Sequence, residues 1–240
     1  MFTICFDFGN TRLKAAVFNQ QAFIEEVAFS DDHPNTILPF LEKYAPAKII
    51  LSSVINHNIE TETLFASRGS FHKLSIDSKT NFTTPVSKPS SIGADRIALA
   101  TAAVHYFPHQ NNLIIALGSC ITYNFINQYN QFLGGAISPG LDMRFKALHE
   151  NTAKLPLIEK DWNVPLIGYD TKTNIQAGVV LGIVAEIDGF IEKYQQKYGK
   201  FNAVLTGGNA PYFASQLKYK IFADVNFLFK GMFALSELNN

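Results

Sequence analysis

The sequence predicts an α/β protein made of a duplicated unit with mixed sheets. Two patterns carry that expectation: strand-like runs alternate with helical periods along all 240 residues, and the opening order of strand, glycine turn, strand, turn and strand restarts in the second half. A third observation is that 47% of the residues are hydrophobic, enough to fill two cores and too many for a disordered chain.

The elements follow in order. Thr3 to Phe8 is β-branched and aromatic and ends at Gly9-Asn10, a strand followed by a turn. Leu13 to Phe18 and Ala22 to Phe29 continue as strands around the Asn19-Gln20-Gln21 hairpin. A helix carrying Ile37, Leu38, Leu41 and Tyr44 leads to Ala47 to Val54, an apolar run bounded by Pro46 and Asn56 that reads as a buried parallel strand. Gly93 to Tyr106 is Ala-rich and helical, with Pro108 at its end. Leu113 to Leu117, Ile121 to Ile126 and Phe132 to Ile137 then repeat the opening pattern. An offset of 109 residues carries Gly9 onto Gly118 and Phe23 onto Phe132. Thr173 to Tyr198 is the longest helical period, with Ile175, Val179, Ile183, Ile187 and Ile191 along one face. Phe201 to Leu205 is a strand stopping at Thr206-Gly207-Gly208, and Pro211 opens a short helix. The expected domains are 1–110 and 111–240.

Charge narrows the function. Twenty basic residues balance twenty acidic ones, with a pI near 7.0, which argues against a nucleic-acid partner that would demand a basic surplus. From Ile97 to Leu141, 45 consecutive residues carry no Asp, Glu, Lys or Arg. His105 and the run Pro108-His109-Gln110-Asn111-Asn112 interrupt that stretch, so no membrane span is expected from it. The N-terminus lacks a basic leader, and the expected location is cytoplasmic. Cys5 and Cys120 lie outside any Cys-x-x-Cys spacing and are expected to be buried thiols. His105 and His109 share a helical spacing that Pro108 disrupts, so a structural metal site is not expected.

Three motifs can carry chemistry. In Asp7-Phe8-Gly9-Asn10-Thr11-Arg12-Leu13-Lys14 an aspartate ends a buried strand, where it is costly unless paired or holding a metal. Gly9 and Asn10 can take positive φ and aim N–H groups at a phosphate, with Lys14 neutralising an outer oxygen; a hairpin turn capped by the Asp is the structural alternative. In Gly93-Ala94-Asp95-Arg96 an acid opens a helix. It is either a helix-end partner or a base for a substrate hydroxyl beside an anion-holding Arg. Thr206-Gly207-Gly208 after a strand would let a planar ligand approach.

These motifs, with Gly134-Gly135-Ala136-Ile137-x-Pro139-Gly140, Thr152-Ala153-Lys154-Leu155-Pro156, Gly168-x-x-Thr171 and Gln176-Ala177-Gly178, give a chain that resembles the type III pantothenate kinases of the acetate kinase, sugar kinase, Hsp70 and actin superfamily. The resemblance covers nearly the whole chain. It implies two ribonuclease-H-like domains with ATP in an interdomain cleft, and a homodimer that helps build the pantothenate site. It also implies that Asp7 holds Mg2+, that Gly9, Asn10, Thr11 and Lys14 contact ATP phosphates together with Gly118 and Ser119, and that Thr206, Gly207 and Gly208 approach the nucleotide. Asp95 would be the general base on the pantothenate hydroxyl, with Gly93, Ala94, Arg96 and, from the partner copy, Thr171 lining the pocket. No membrane partner is implied.

The chain departs from the family pattern at three places. Ala116 stands where the family has the Asp associated with a monovalent cation, potassium or ammonium; Asn124 stands where an Asp is common; and Val86 stands where a Tyr closes over pantothenate. Two readings follow: an active pantothenate kinase with altered cation dependence, or a relative that binds ligand and acts as a regulatory protein. Val86 leaves room for another small hydroxylated acid as substrate.

Overall fold

The computed structural model describes residues 1–239, which group into two compact units. The first comprises Met1–Pro108, Asn130–Leu133 and the stretch from Asn226 onward; the second comprises His109–Tyr129 and Gly134–Val225. In chain order the elements are β1 (Phe2–Phe8), β2 (Leu13–Asn19), β3 (Ala22–Phe29), α1 (Pro34–Tyr44), β4 (Lys48–Ser53), α2 (Ile59–Arg68), β5 (Ser70–Lys73) and α3 (Ala94–Tyr106). They continue with β6 (Asn112–Leu117), β7 (Cys120–Ile126), β8 (Phe132–Pro139), α4 (Leu141–Glu150), α5 (Thr171–Tyr198), β9 (Asn202–Thr206), α6 (Ala210–Ala214), β10 (Phe222–Ala223) and α7 (Phe227–Asn239).

The repeat read from the sequence is a repeat of topology. One sheet has the order β3-β2-β1-β4-β5 and the other β8-β7-β6-β9-β10. In each, the central strand pairs antiparallel with the strand that follows it and parallel with a later one. A tight loop allows the antiparallel β2–β3 pairing, with Gln20 at φ 54° in the turn; Asn130, between β7 and β8, likewise sits at φ 56°. The parallel pairings require crossovers, supplied by α1 for β4 and by the long excursion through α4 and α5 for β9.

Burial explains the periodicities. In the first unit Phe6 stacks on Phe65 at 4.4 Å within a core of Ile4, Phe8, Ile37, Leu41, Ile49 and Leu51. In the second, Leu113, Ile114, Ile115, Tyr123 and Phe125 are buried, as is the stripe Ile175, Val179, Ile183, Ile187 and Ile191 on α5. By length and composition α5 could cross a membrane; that stripe is instead part of the unit's core. The charge-free run is thus largely interior, since α3 is buried from Ile97 to Val104 and β6 and β7 are mostly buried.

Three local expectations change. The α3 helix begins at Ala94 with Gly93 as its cap, and α5 begins two residues early, at Thr171. Asp170 accepts from the Thr173 N–H at 2.7 Å while the Thr173 hydroxyl closes back on the Asp170 N–H, a reciprocal cap that fixes the start. Cys5 is buried, and burial pushes its thiol well above the ordinary range. Cys120 is only half-buried because it opens β7 beside an exposed turn.

The C-terminal helix α7 packs along α3, and Gly231 makes the close crossing possible. A Cβ there would run into the Ala98 carbonyl and lie 3.1 Å from the Ala102 methyl. Gly231→Ala is expected to push the helices apart and lower stability by roughly 1–3 kcal/mol, read as a Tm several degrees lower in a thermal melt. An unchanged Tm would show that the helices have slack.

Candidate active site

In the first unit, the C-terminal end of β1 holds Asp7 in a row of three side chains on one sheet face. The registers place Lys14 of β2 opposite Asp7 on one side and Ser52 of β4 on the other. The ends of central parallel strands are where open α/β sheets bind ligands, because the chain leaves the sheet there and exposes side chains at its rim. The Asp7 carboxyl is pushed up to about 7, first by burial, then by the charge of Asp95; Ser52 and Lys14 draw it back only partly. Ser52 is wholly buried, and its hydroxyl was not anticipated from sequence, although its place at the end of a parallel strand is the signal that could have found it. The Lys14 ammonium forms a close ion pair with Glu26 of β3, so a phosphate would compete with that carboxylate.

The Gly9–Arg12 turn departs from expectation. Neither Gly9 nor Asn10 takes positive φ; the turn closes through the Gly9 N–H donating to the Arg12 carbonyl at 3.1 Å. With that bond made, no left-handed residue is needed. Asn10 and Thr11 project into solvent at the tip.

Asp95 lies in the first turn of α3. Its carboxyl folds back over Gly93, where an added Cβ would stand 2.5 Å from Asp95 Oδ1, so glycine makes room for the acid. Burial raises the Asp95 carboxyl above the ordinary range, against the pull of the Arg96 N–H and guanidinium. Ala94 is buried beneath it. The Arg96 guanidinium lies 5.3 Å from the Phe132 ring centroid, a cation–π contact that orients it. The structure therefore brings Asp7, Lys14, Gly93, Ala94, Asp95 and Arg96 together in one unit. Val86, in the same unit, donates its N–H to the Thr84 hydroxyl at 3.2 Å.

The second unit repeats the row with different chemistry. The 109-residue offset carries Asp7 onto Ala116, whose register partners are Thr122 and Thr206. Asn124 is buried and donates to the Ile114 carbonyl at 3.3 Å and the Thr122 hydroxyl at 3.0 Å, bonds an ionised carboxylate could not donate. Three backbone segments converge beside this row. Gly207, at φ 95°, lies against Leu117 so closely that a Cβ would overlap its backbone. Gly140 lies equally close to the carbonyls of Gly118 and Ser119 and donates its N–H to Ser119 at 3.0 Å. Gly207 thus serves packing, while Gly208 has open space at its Cα. Thr171 stands exposed on the first turn of α5, whose cap Asp170 and neighbour Gly168 set its position. Among the described residues no group of three His, Cys, Asp or Glu side chains gathers as a metal cage.

The pattern for type III pantothenate kinase matches residues 3–193. The chain belongs to the type III pantothenate kinase family. It is 40% identical over 228 residues to the type III pantothenate kinase of Flavobacterium johnsoniae, covering 94% of this chain and 93% of that one. The same enzyme of Bacteroides fragilis is 38% identical over 238 residues, covering 98% and 97%. Among solved structures, a conserved Baf family protein from Campylobacter jejuni superimposes with a TM-score of 0.65 at 22% identity over 98% of this chain and 97% of that one. A glucokinase from Balamuthia mandrillaris does so at 0.57 and 9% identity over 98% and 93%. These likenesses show the fold, the duplicated actin-like and ribonuclease-H-like architecture of the superfamily. As a pantothenate kinase the chain is a phosphotransferase, and kinase membership implies ATP as donor.

The raised Asp7 carboxyl has a consequence for stability. Between about pH 4 and 7 the unfolded chain releases the Asp7 proton while the folded chain keeps it, so stability falls as pH rises through that window. Asp7→Asn, with no proton to lose, is expected to be more stable than the parent at pH 8 by up to about 4 kcal/mol, with the gain vanishing near pH 4. Denaturant unfolding of both proteins at the two pH values measures it; a gain independent of pH would contradict the assignment.

Proposed function

We propose that the protein phosphorylates the primary hydroxyl of pantothenate at the expense of ATP, yielding 4'-phosphopantothenate for coenzyme A biosynthesis, with Asp95 as general base. The observation that carries the reading is the pair of acids in the first unit, Asp7 and Asp95, both half-buried and both raised. A carboxylate raised above its ordinary range is the better proton acceptor as the hydroxyl oxygen attacks the γ-phosphorus in line, and the Gly93 gap keeps the Asp95 carboxyl in place. Arg96, fixed over Phe132, suits the pantothenate carboxylate. Gly9, Asn10, Thr11 and Lys14 are assigned to the ATP phosphates, as are Gly118 and Ser119, and Thr206, Gly207 and Gly208 to the nucleotide.

The residues present fit Mg2+. Asp7 offers a hard oxygen donor with the Ser52 hydroxyl beside it, and its charge is now opposed by burial and by Asp95, the situation a divalent cation relieves. Asp7 would hold the ion directly or through water; bound, it would neutralise charge developing on the transferring phosphoryl group. The monovalent cation is a separate matter, since Ala116 lies between Thr122 and Thr206 with no carboxylate of its own.

A homodimer is supported by Leu166, Ile167 and Tyr169, each more than 80% exposed immediately before Thr171. Such an apolar cluster suits a second copy of the chain, which would bring Thr171 to the partner's pantothenate. A cytoplasmic location belongs to the same proposal, supported by the burial of the α5 stripe, the one helix among the described residues long and apolar enough to cross a membrane.

An ADP-release assay with pantothenate tests the proposal. Turnover is expected, and Asp95→Asn should reduce kcat by at least about 100-fold with the fold intact. Absence of turnover in a folded protein, with or without potassium or ammonium, would favour the ligand-binding relative without activity. Ala116→Asp sets a carboxylate between two threonine hydroxyls. It should make the rate rise with added potassium, and indifference to potassium would remove the cation account of this position.

A further inference from the structure

The second unit contains a polar relay that the assigned machinery does not use. The Glu186 carboxylate of α5 accepts hydrogen bonds from the Ser138 hydroxyl at 2.5 Å and the Tyr123 hydroxyl at 2.9 Å, and it pairs closely with the Arg144 guanidinium of α4. Burial pushes the Glu186 carboxyl up, but these three donors outweigh it and hold the group below the ordinary range, while burial and the facing carboxylate push the Tyr123 hydroxyl well up. The relay therefore keeps one charge state, carboxylate with neutral phenol, through the neutral range.

Arg144 carries the relay onward. Its Nε donates to the Pro139 carbonyl at 2.8 Å, and its backbone N–H to the Gly140 carbonyl at 3.0 Å. Gly140 in turn donates its N–H to the Ser119 carbonyl at 3.0 Å, from a position so close to Gly118 and Ser119 that no side chain fits between. A continuous line of bonds thus runs from the middle of α5 to the Gly118–Ser119 turn. The Arg144 fork meets Pro139 through Nε and Ser138 and Glu186 through a terminal nitrogen, a two-nitrogen geometry that a single ammonium nitrogen does not reproduce. A half-buried ion pair is a poor way to gain stability alone, since an apolar pair of similar volume would do as well. Its geometry is better explained by what it fixes in place.

We propose that Arg144 and Glu186 are positioning residues for ATP, holding the Gly118–Ser119 turn through the Pro139–Gly140 peptide so that its groups meet the nucleotide phosphates. This rests on the assignment of Gly118 and Ser119 to the phosphates, and it extends that assignment to two side chains that touch no substrate.

Steady-state kinetics on the full-length protein, varying ATP and pantothenate separately, provides the test. Arg144→Met is expected to raise the KM for ATP about tenfold while leaving the KM for pantothenate within about twofold. Arg144→Lys, which can keep Glu186 but not Pro139, should fall between; Glu186→Gln should behave like Arg144→Met with a smaller effect. Thermal melts accompany each variant, and if Arg144→Met does not fold, Arg144→Lys and Glu186→Gln carry the same test. Folded variants with an unchanged KM for ATP, or with both KM values raised equally, overturn the relay. Ser119→Ala separates the two layers: if it raises the KM for ATP while the Arg144 and Glu186 variants do not, the relay alone falls. If Ser119→Ala and Gly118→Ala both leave that KM unchanged, the assignment beneath it falls.

Discussion

A carboxylate at the end of a buried central strand constrains everything around it in the first unit. Asp7 cannot be fully solvated, because β2 and β4 flank it in register, and it is not neutralised by Lys14, which Glu26 engages. Its neighbour Asp95 adds like charge, and together with burial this raises the Asp7 carboxyl. Such an arrangement persists in a fold where its cost is offset by what the site binds. Gly93, which leaves space for the second acid, and the Gly9–Arg12 turn, which carries the chain away from the strand end, are arranged around that requirement.

The second unit shows the same sheet relieved of it. Its central strand has the same neighbours in the same senses, but Ala116 replaces the carboxylate and two threonines replace the lysine and serine. Duplication therefore preserved topology while the chemistry diverged. The difference at Ala116 is local, since the turn beside it is gripped by Gly140 and Gly207. Asn124 is a buried donor to the neighbouring strand, and an ionised acid at that position would face the Ile114 carbonyl without a proton to offer.

Much of this was legible in the sequence because the decisive signals are local or periodic. The α5 stripe and the strand–glycine–strand repeat follow from spacing and residue type, whereas the Asp7 and Asp95 motifs were visible as motifs and acquired a shared role only through the family resemblance. What escaped was non-local. Ser52 lies in an unremarkable Ser-Ser pair until the parallel register sets it beside Asp7. The engagement of Lys14 by Glu26 depends on the β2–β3 pairing, and the contact of Arg96 with Phe132 joins residues far apart in the chain. Gly9 and Asn10 differ from expectation for another reason: glycine permits positive φ but does not require it, and a single N–H to carbonyl bond closes this turn without it.

The return of α7 to the first unit bears on how the chain is made. Residues 109–129 and 134–225 lie between the start of that unit and the helix that packs on α3, so the whole second unit is synthesised before the first can be completed. Until Phe227 and the residues after it emerge, the α3 surface built around Ala98 and Ala102 has no cover, and an apolar helix face waits for its partner through the synthesis of more than a hundred residues. The first unit is therefore completed only once the chain of the second has been made.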